Sequence, residues 1–173
     1  MARKPIIAVI GGGSTVSPEG SALAEEVGFL IARADAVLIC GGLNGVMEAS
    51  AKGAKRGGGL TIGVLPTGDK ADANAFIDLP IATAMSTARN LVIVRTADAI
   101  IAINGSYGTL SEMAHAFDLG KTVFALKTWP MEKTGVESHL FVPVATPREA
   151  VDRALEYAGR AMAAASAGPG FVK

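Results

Sequence analysis

The chain has 173 residues, of which 50% are apolar and 18% charged. That is material for about one domain with a sizeable core, and it excludes a disordered chain. Sixteen Lys and Arg balance sixteen Asp and Glu, which argues against a nucleic-acid backbone or an anionic membrane surface as partner, and no apolar run approaches the roughly 18 residues of a membrane span.

In chain order, short β-branched apolar runs alternate with stretches of helical period, and almost every run ends in glycine or small polar residues. Met1 to Pro5 lead straight into the first run without the longer apolar region of a secretory signal, so a cytoplasmic protein is expected. Residues 6–10 read as a strand, followed by Gly11-Gly12-Gly13-Ser14-Thr15. Ser17 as N-cap and Pro18 at the first helical position start a helix expected to reach about Arg33. A strand at 36–39 meets Gly41-Gly42-Leu43-Asn44-Gly45. The helix expected at 46–56 has small residues such as Ala49, Ser50 and Gly53 on its packing face, suited to close approach to the sheet, and Gly57-Gly58-Gly59 stops it.

A third strand is expected at 60–65, then a surface loop at 67–80, a helix at 86–96 and a strand at 99–103, with Asp98 capping or turning the chain before it. Asn104-Gly105-Ser106-Tyr107-Gly108-Thr109 leads into a helix expected at 109–119. Strands at 122–126 and 140–144 follow, and a Thr146-Pro147-Arg148-Glu149 capping box opens a helix expected at 147–165. The strands are nearly continuous in Val, Ile and Ala, as strands covered by helices on both faces are. The expectation is a single α/β domain, 1–165, with a Rossmann-like three-layer fold and a mainly parallel sheet, and a frayed tail at 166–173.

In such a sheet, ligands bind beyond the carboxyl ends of the strands. Three glycine clusters follow three separate strands, and 21 glycines in all are well above the usual level of about 7%. Glycine lets the backbone turn tightly, and each turn would deliver amides at a helix N-terminus, a ready anion site. Together they predict a small ligand that carries phosphate. The first two loops offer Gly12, Gly13, Ser14, Gly41, Gly42, Asn44 and Gly45 as contacts; the third offers Asn104, Gly105, Ser106, Tyr107, Gly108 and Thr109. A dinucleotide site would end its second strand in an acid, where this chain has Cys40-Gly41. Neither a P-loop lysine string nor a G-x-S-x-G elbow is present. With one cysteine and only His115 and His139, the chain can form no intrachain disulfide and offers no zinc cluster.

The string from Asn104 to Glu112 resembles the P-G-G-x-G-T-x-x-E signature of the LOG family, Rossmann-like phosphoribohydrolases within the SLOG superfamily that release a base from nucleoside monophosphates. Gly41 to Met47 resembles that family's G-G-G-x-x-G-x-M loop, and Ala88-Arg89-Asn90 stands where the family carries an Arg-Lys pair. The resemblance covers roughly residues 6–126. Members are often labelled lysine decarboxylases, but no feature here would hold a pyridoxal cofactor. Asn104 replaces the signature proline, Ser106 its second glycine and Asn90 the lysine, while Gly11-Gly12-Gly13 replaces the usual Cys-Gly-Ser. In the opening Ile10-Gly11-Gly12-Gly13 and the Ala88-Arg89-Asn90 string the chain looks more like the short branch that includes molybdenum cofactor carriers.

The resemblance implies two functions. As a hydrolase, the protein would cleave a nucleoside 5'-monophosphate to base and ribose 5-phosphate, with Glu112 and Arg89 as catalytic residues and no required cofactor. As a carrier, it would hold a nucleotide or molybdopterin-type ligand without turning it over. Met85 and Asn90 join the ligand-binding set in either case, and a homodimer or higher homo-oligomer is implied. Bland alternatives stand beside these: Glu112 as the end of a Thr109-x-x-Glu112 capping box, Arg89 as a surface ion-pair residue, Cys40 as a small buried hydrophobe, Tyr107 as a shield over its loop. His115 is given no role.

Overall fold

The strands form one seven-stranded sheet, all parallel, in a computed structural model that describes residues 3–13, 16–131 and 137–166. They are β1 (Ile6–Gly11), β2 (Val37–Cys40), β3 (Thr61–Leu65), β4 (Leu79–Ala82), β5 (Ala99–Ile103), β6 (Val123–Leu126) and β7 (Phe141–Pro143), in the spatial order β4-β3-β2-β1-β5-β6-β7. The chain thus lays β2, β3 and β4 outward from one side of β1, then returns to β1's other side for β5 to β7. Every residue of β2, β5 and β6 is buried, as their unbroken apolar character requires. Ser14, in the first glycine loop, and the tail from residue 167 lie outside the described residues.

Helices α1 (Pro18–Arg33), α2 (Val46–Arg56) and α5 (Pro147–Ser166) pack on one face of the sheet, against Ile7, Val9, Leu38, Ile101 and Phe124. Helices α3 (Asn90–Thr96) and α4 (Tyr107–Asp118) pack on the other, against Ala8, Ile10, Ile100 and Ala102. This is the expected three-layer Rossmann-like architecture. No described helix is long and apolar enough to cross a membrane.

The predicted caps act as such: Gly20 N–H donates to Ser17 Oγ (3.0 Å) and Glu149 N–H to Thr146 Oγ1 (3.1 Å). Asp98 accepts from Ile6 N–H (2.9 Å) and pairs with Arg3 (2.6 Å), tying the start of β5 to that of β1.

Three expectations are corrected. The segment 67–80 is not simply a surface loop, because Leu79 begins β4, which pairs with β3 from Ile62↔Leu79 to Leu65↔Ala82. Pro80 cannot donate to a ladder, and an edge strand has one unpaired side where that is harmless. The helix expected at 86–96, which follows β4, starts as a 3-10 turn (Ser86–Arg89) and becomes α-helical only at Asn90. The small face of α2 serves a helix as well as the sheet: a Cβ on Gly28 would lie 2.8 Å from the carbonyl carbon of Ser50, and one on Gly53 would lie 2.7 Å from that of Glu25. These two glycines let α1 and α2 touch backbone to backbone.

Candidate functional site at the topological switch point

The order of winding reverses between β1 and β5, and the helices that leave them diverge to opposite faces. A crevice opens there at the strands' carboxyl ends. It contains a cavity of about 170 Å³. Gly11 and Gly13 of the first glycine turn, Gly41 of the second, and Ser106, Gly108 and Thr109 of the third all reach it. Arg89, Asn90, Met47 and Glu112 close it.

The third turn is built by local hydrogen bonding. Asn104 takes a left-handed backbone (φ 53°), and Ser106 caps α4, which begins at Tyr107, two residues earlier than expected. Ser106 N–H donates to Thr109 Oγ1 (3.3 Å) as half of a capping box. Thr109 therefore keeps its own hydroxyl proton for the cavity. The amides of Tyr107 and Gly108, first in the helix, have no partner in the preceding turn of that helix. The capping box is thus made by Ser106 and Thr109, and Glu112 is left free of the capping role.

Arg89 is 8% exposed. Its Nη1 donates to the carbonyl of Val64 (2.8 Å), while Nε is buried with no partner among the described residues. The guanidinium lies against Gly41: a Cβ there would sit 2.6 Å from Nη2 and 2.5 Å from Met47 Sδ. A surface ion pair does not describe this residue. Nor is a bidentate contact to Glu112 formed, since no Arg89–Glu112 pair within 4.0 Å occurs among the ion pairs of the described residues; Arg89 acts on Glu112 through space.

Glu112 is 7% exposed. Burial pushes its carboxyl from 4.5 up to about 7, against the opposing pull of Arg89. It therefore titrates near neutral pH. Burial also raises the Cys40 thiol to about 11, which makes it a buried small hydrophobe rather than a thiolate nucleophile.

The remaining expected contacts lie outside this cavity. Gly12 accepts from Val46 N–H (3.0 Å), fixing α2 to the first turn. Gly42 has its carbonyl held by Asn74, and Asn44 and Gly45 line a neighbouring cleft that shares Gly13. Met85 is 47% exposed. Asn104 and Gly105 border a separate depression with Lys127, Thr128 and Trp129. Tyr107 is 85% exposed and stacks on Trp129, ring centroids 6.5 Å apart. His115, half-buried on α4, does not line the cavity. Val9, Ile10, Gly11 and Met47 line it without having been expected; Met47 was visible as the last residue of the second glycine motif. A larger hollow of about 690 Å³ lies between α5 and the β6–β7 edge, away from all three glycine turns. The small cavity is the better candidate because three glycine turns, a buried cation and a perturbed acid meet there.

Comparison with known proteins agrees with this fold. Over 121 residues the chain is 52% identical to an uncharacterised protein of Archaeoglobus fulgidus, covering 70% of this chain and 79% of that one. The structure resembles the molybdenum cofactor binding protein of the phototrophic bacterium Rippkaea orientalis (TM-score 0.84, 34% identity, 90% of this chain and 98% of that one). It is similar to the Moco carrier protein of Chlamydomonas reinhardtii to the same degree (TM-score 0.84, 32% identity, 91% and 99% covered). The model of the SLOG cluster4 family matches residues 4–151, and the chain belongs to that family.

Proposed function

We propose that the protein binds a small phosphorylated heterocycle at the switch-point cavity and holds it, as a carrier of a molybdopterin-type ligand. The observation that carries this reading is Arg89: a buried guanidinium with an unpartnered Nε, in a hollow reached by the turns after β1, β2 and β5. A buried cation with no carboxylate paired to it among the described residues is costly, and an incoming phosphate would balance its charge. At about 170 Å³ the cavity suits the phosphate end of a ligand rather than a whole nucleotide, since complete ligand sites run to about 300–1,000 Å³. The resemblance to cofactor-binding and carrier proteins at 32–34% identity supports a carrier over an enzyme.

A second reading, phosphoribohydrolase, is favoured by Glu112. Breaking an N-glycosidic bond builds positive charge on the ribose, and a carboxyl that titrates at about 7 could stabilise that charge when ionised and accept a proton from attacking water. Arg89 would hold the phosphate. The substitutions at Asn90, Asn104 and Ser106 in the hydrolase signature weigh against it. Cytoplasmic location, a homo-oligomer and the absence of a nucleic-acid partner belong to the same proposal; Leu60, Leu79 and Ile81, exposed on β4 and beside β3, offer apolar surface for self-association.

Incubating the purified protein with AMP and other monophosphates, and measuring ribose 5-phosphate, separates the readings. Release that is lost in Glu112→Ala supports the hydrolase. No release, with a chromophoric ligand retained through native purification, supports the carrier.

A further inference from the structure

The phosphate cavity has a neighbour. Gly13 also lines a cleft of about 590 Å³ between the N-terminal halves of α1 and α2. On the first turn of α2, Met47 faces the cavity and Glu48, its chain neighbour, faces the cleft. Consecutive Cα atoms are about 3.8 Å apart, so the two hollows are adjacent on either side of one helical turn. A ligand whose phosphate sits by Arg89 would reach this cleft past Gly13, the residue the two hollows share.

The cleft has apolar walls in Val16, Ala49 and Phe76. Phe76 is held through its backbone: its N–H donates to Asn74 Oδ1 (3.0 Å) and its carbonyl accepts from Thr61 Oγ1 (2.7 Å). A flat heterocycle could stack on it. Of the two carboxylates, Glu25 is engaged by Lys52 (3.0 Å) and Arg56 (2.8 Å). Glu48 is half-buried and makes no hydrogen bond or ion pair among the described residues. Both cations are turned to Glu25, so Glu48 is the carboxylate of the cleft left to meet a ligand.

An ionised carboxylate can only accept hydrogen bonds. Its best partner is an edge with two parallel donors, a ring N–H beside an exocyclic amino group, as guanine and pterins present. Adenine offers a lone pair beside its amino group and would set acceptor against acceptor. We propose that the cleft beside Glu48 is the ring subsite, and that it selects a monophosphate with a guanine- or pterin-type donor edge over an adenine one. This rests on the reading of the Arg89 cavity as the phosphate site.

The test is equilibrium binding of GMP, AMP and ribose 5-phosphate to the wild-type protein, Glu48→Gln and Phe76→Ala. GMP should bind the wild type at least about tenfold more tightly than AMP, the scale of one good bidentate contact to a base. Glu48→Gln should bring GMP down to the level of AMP, with ribose 5-phosphate unchanged within about twofold. Phe76→Ala should weaken both nucleotides and leave ribose 5-phosphate alone. Equal binding of GMP and AMP by the wild type, or a preference that survives Glu48→Gln, overturns the ring subsite while ribose 5-phosphate binding preserves the phosphate site. If none of the three binds, both readings fall.

Discussion

Gly41 and Arg89 occupy space that a single methyl group would contest: a Cβ on Gly41 would lie 2.6 Å from Arg89 Nη2. The glycine after β2 is thus a requirement of the guanidinium's position as well as of the turn. Gly41→Ala should displace the tip of Arg89 and the Met47 thioether, both ends of flexible side chains. The expected cost in stability is modest, about 1 kcal/mol. Ribose 5-phosphate affinity should fall about tenfold, the value of one charge-assisted contact. Denaturant unfolding and titration of the same variant check the pair; unchanged affinity would show that Arg89 does not hold phosphate.

Removing the guanidinium should separate function from stability. The charge is buried, with Nε unpartnered and one bond to the Val64 carbonyl. Arg89→Met keeps much of the volume and removes the desolvation cost, so its melting temperature without ligand should match or exceed that of the wild type. Phosphate binding should be abolished. A large loss of stability in Arg89→Met would assign Arg89 a structural task instead.

Glu112 makes a signed prediction about pH. Its carboxyl titrates at about 7 in the folded protein against 4.5 as the ordinary value. Between these values the folded protein keeps a proton that the unfolded chain has lost, so this group's contribution to stability falls as pH rises from about 4.5 to 7. Glu112→Gln, permanently neutral, should lose that slope and exceed the wild type by about 3 kcal/mol at pH 8, with little difference at pH 4.5. Urea unfolding of both proteins across this range tests it, and parallel curves would refute it.

How far such a site can be read from the chain is visible in individual residues. β5 is unbroken apolar residues covered on both faces, and its pattern alone places it in the sheet. β4 has the same role for a different reason: Leu79-Pro80-Ile81-Ala82 becomes a strand by pairing with β3, a long-range contact that local propensity does not encode. The same division holds at the site. Arg89, Glu112 and the glycines at 13, 41 and 108 reach one cavity because each follows a strand end. Tyr107, in the middle of the most specific motif, turns away to Trp129, a partner far along the chain. Asn104 also faces elsewhere, its carboxamide packing over Gly20 of α1.

The contact between α1 and α2 reverses the usual effect of replacing glycine in a helix. Alanine is favoured over glycine by about 1 kcal/mol in an exposed helix. At Gly28 and Gly53 a Cβ would meet the backbone of the facing helix, 2.8 Å from Ser50 C and 2.7 Å from Glu25 C, and backbone cannot swing aside. Each alanine substitution should cost about 2–3 kcal/mol. The double variant should cost less than the sum, because one separation of the helices relieves both clashes. Calorimetry of the three variants decides this, and stabilisation by either single change would mean that the helices yield easily.

Asn74 ties the segment before β4 to the second glycine turn. Its N–H donates to the Gly42 carbonyl (2.9 Å), its Nδ2 to the carbonyls of Gly42 (3.1 Å) and Leu43 (2.7 Å), and its Oδ1 accepts from Phe76 N–H (3.0 Å). Asn74→Ala removes three of these four bonds and should cost about 1–2 kcal/mol, because each is partly exposed. Asn74→Asp keeps the acceptor for Phe76 but turns a carboxylate towards two carbonyl oxygens, so it should be the worse substitution despite its closer shape. Both should speed amide hydrogen exchange across residues 66–78 and weaken nucleotide binding more than ribose 5-phosphate binding, since Phe76 is released while Arg89 keeps its place. An aspartate variant as stable as the wild type would show that this clasp does not hold the cleft wall.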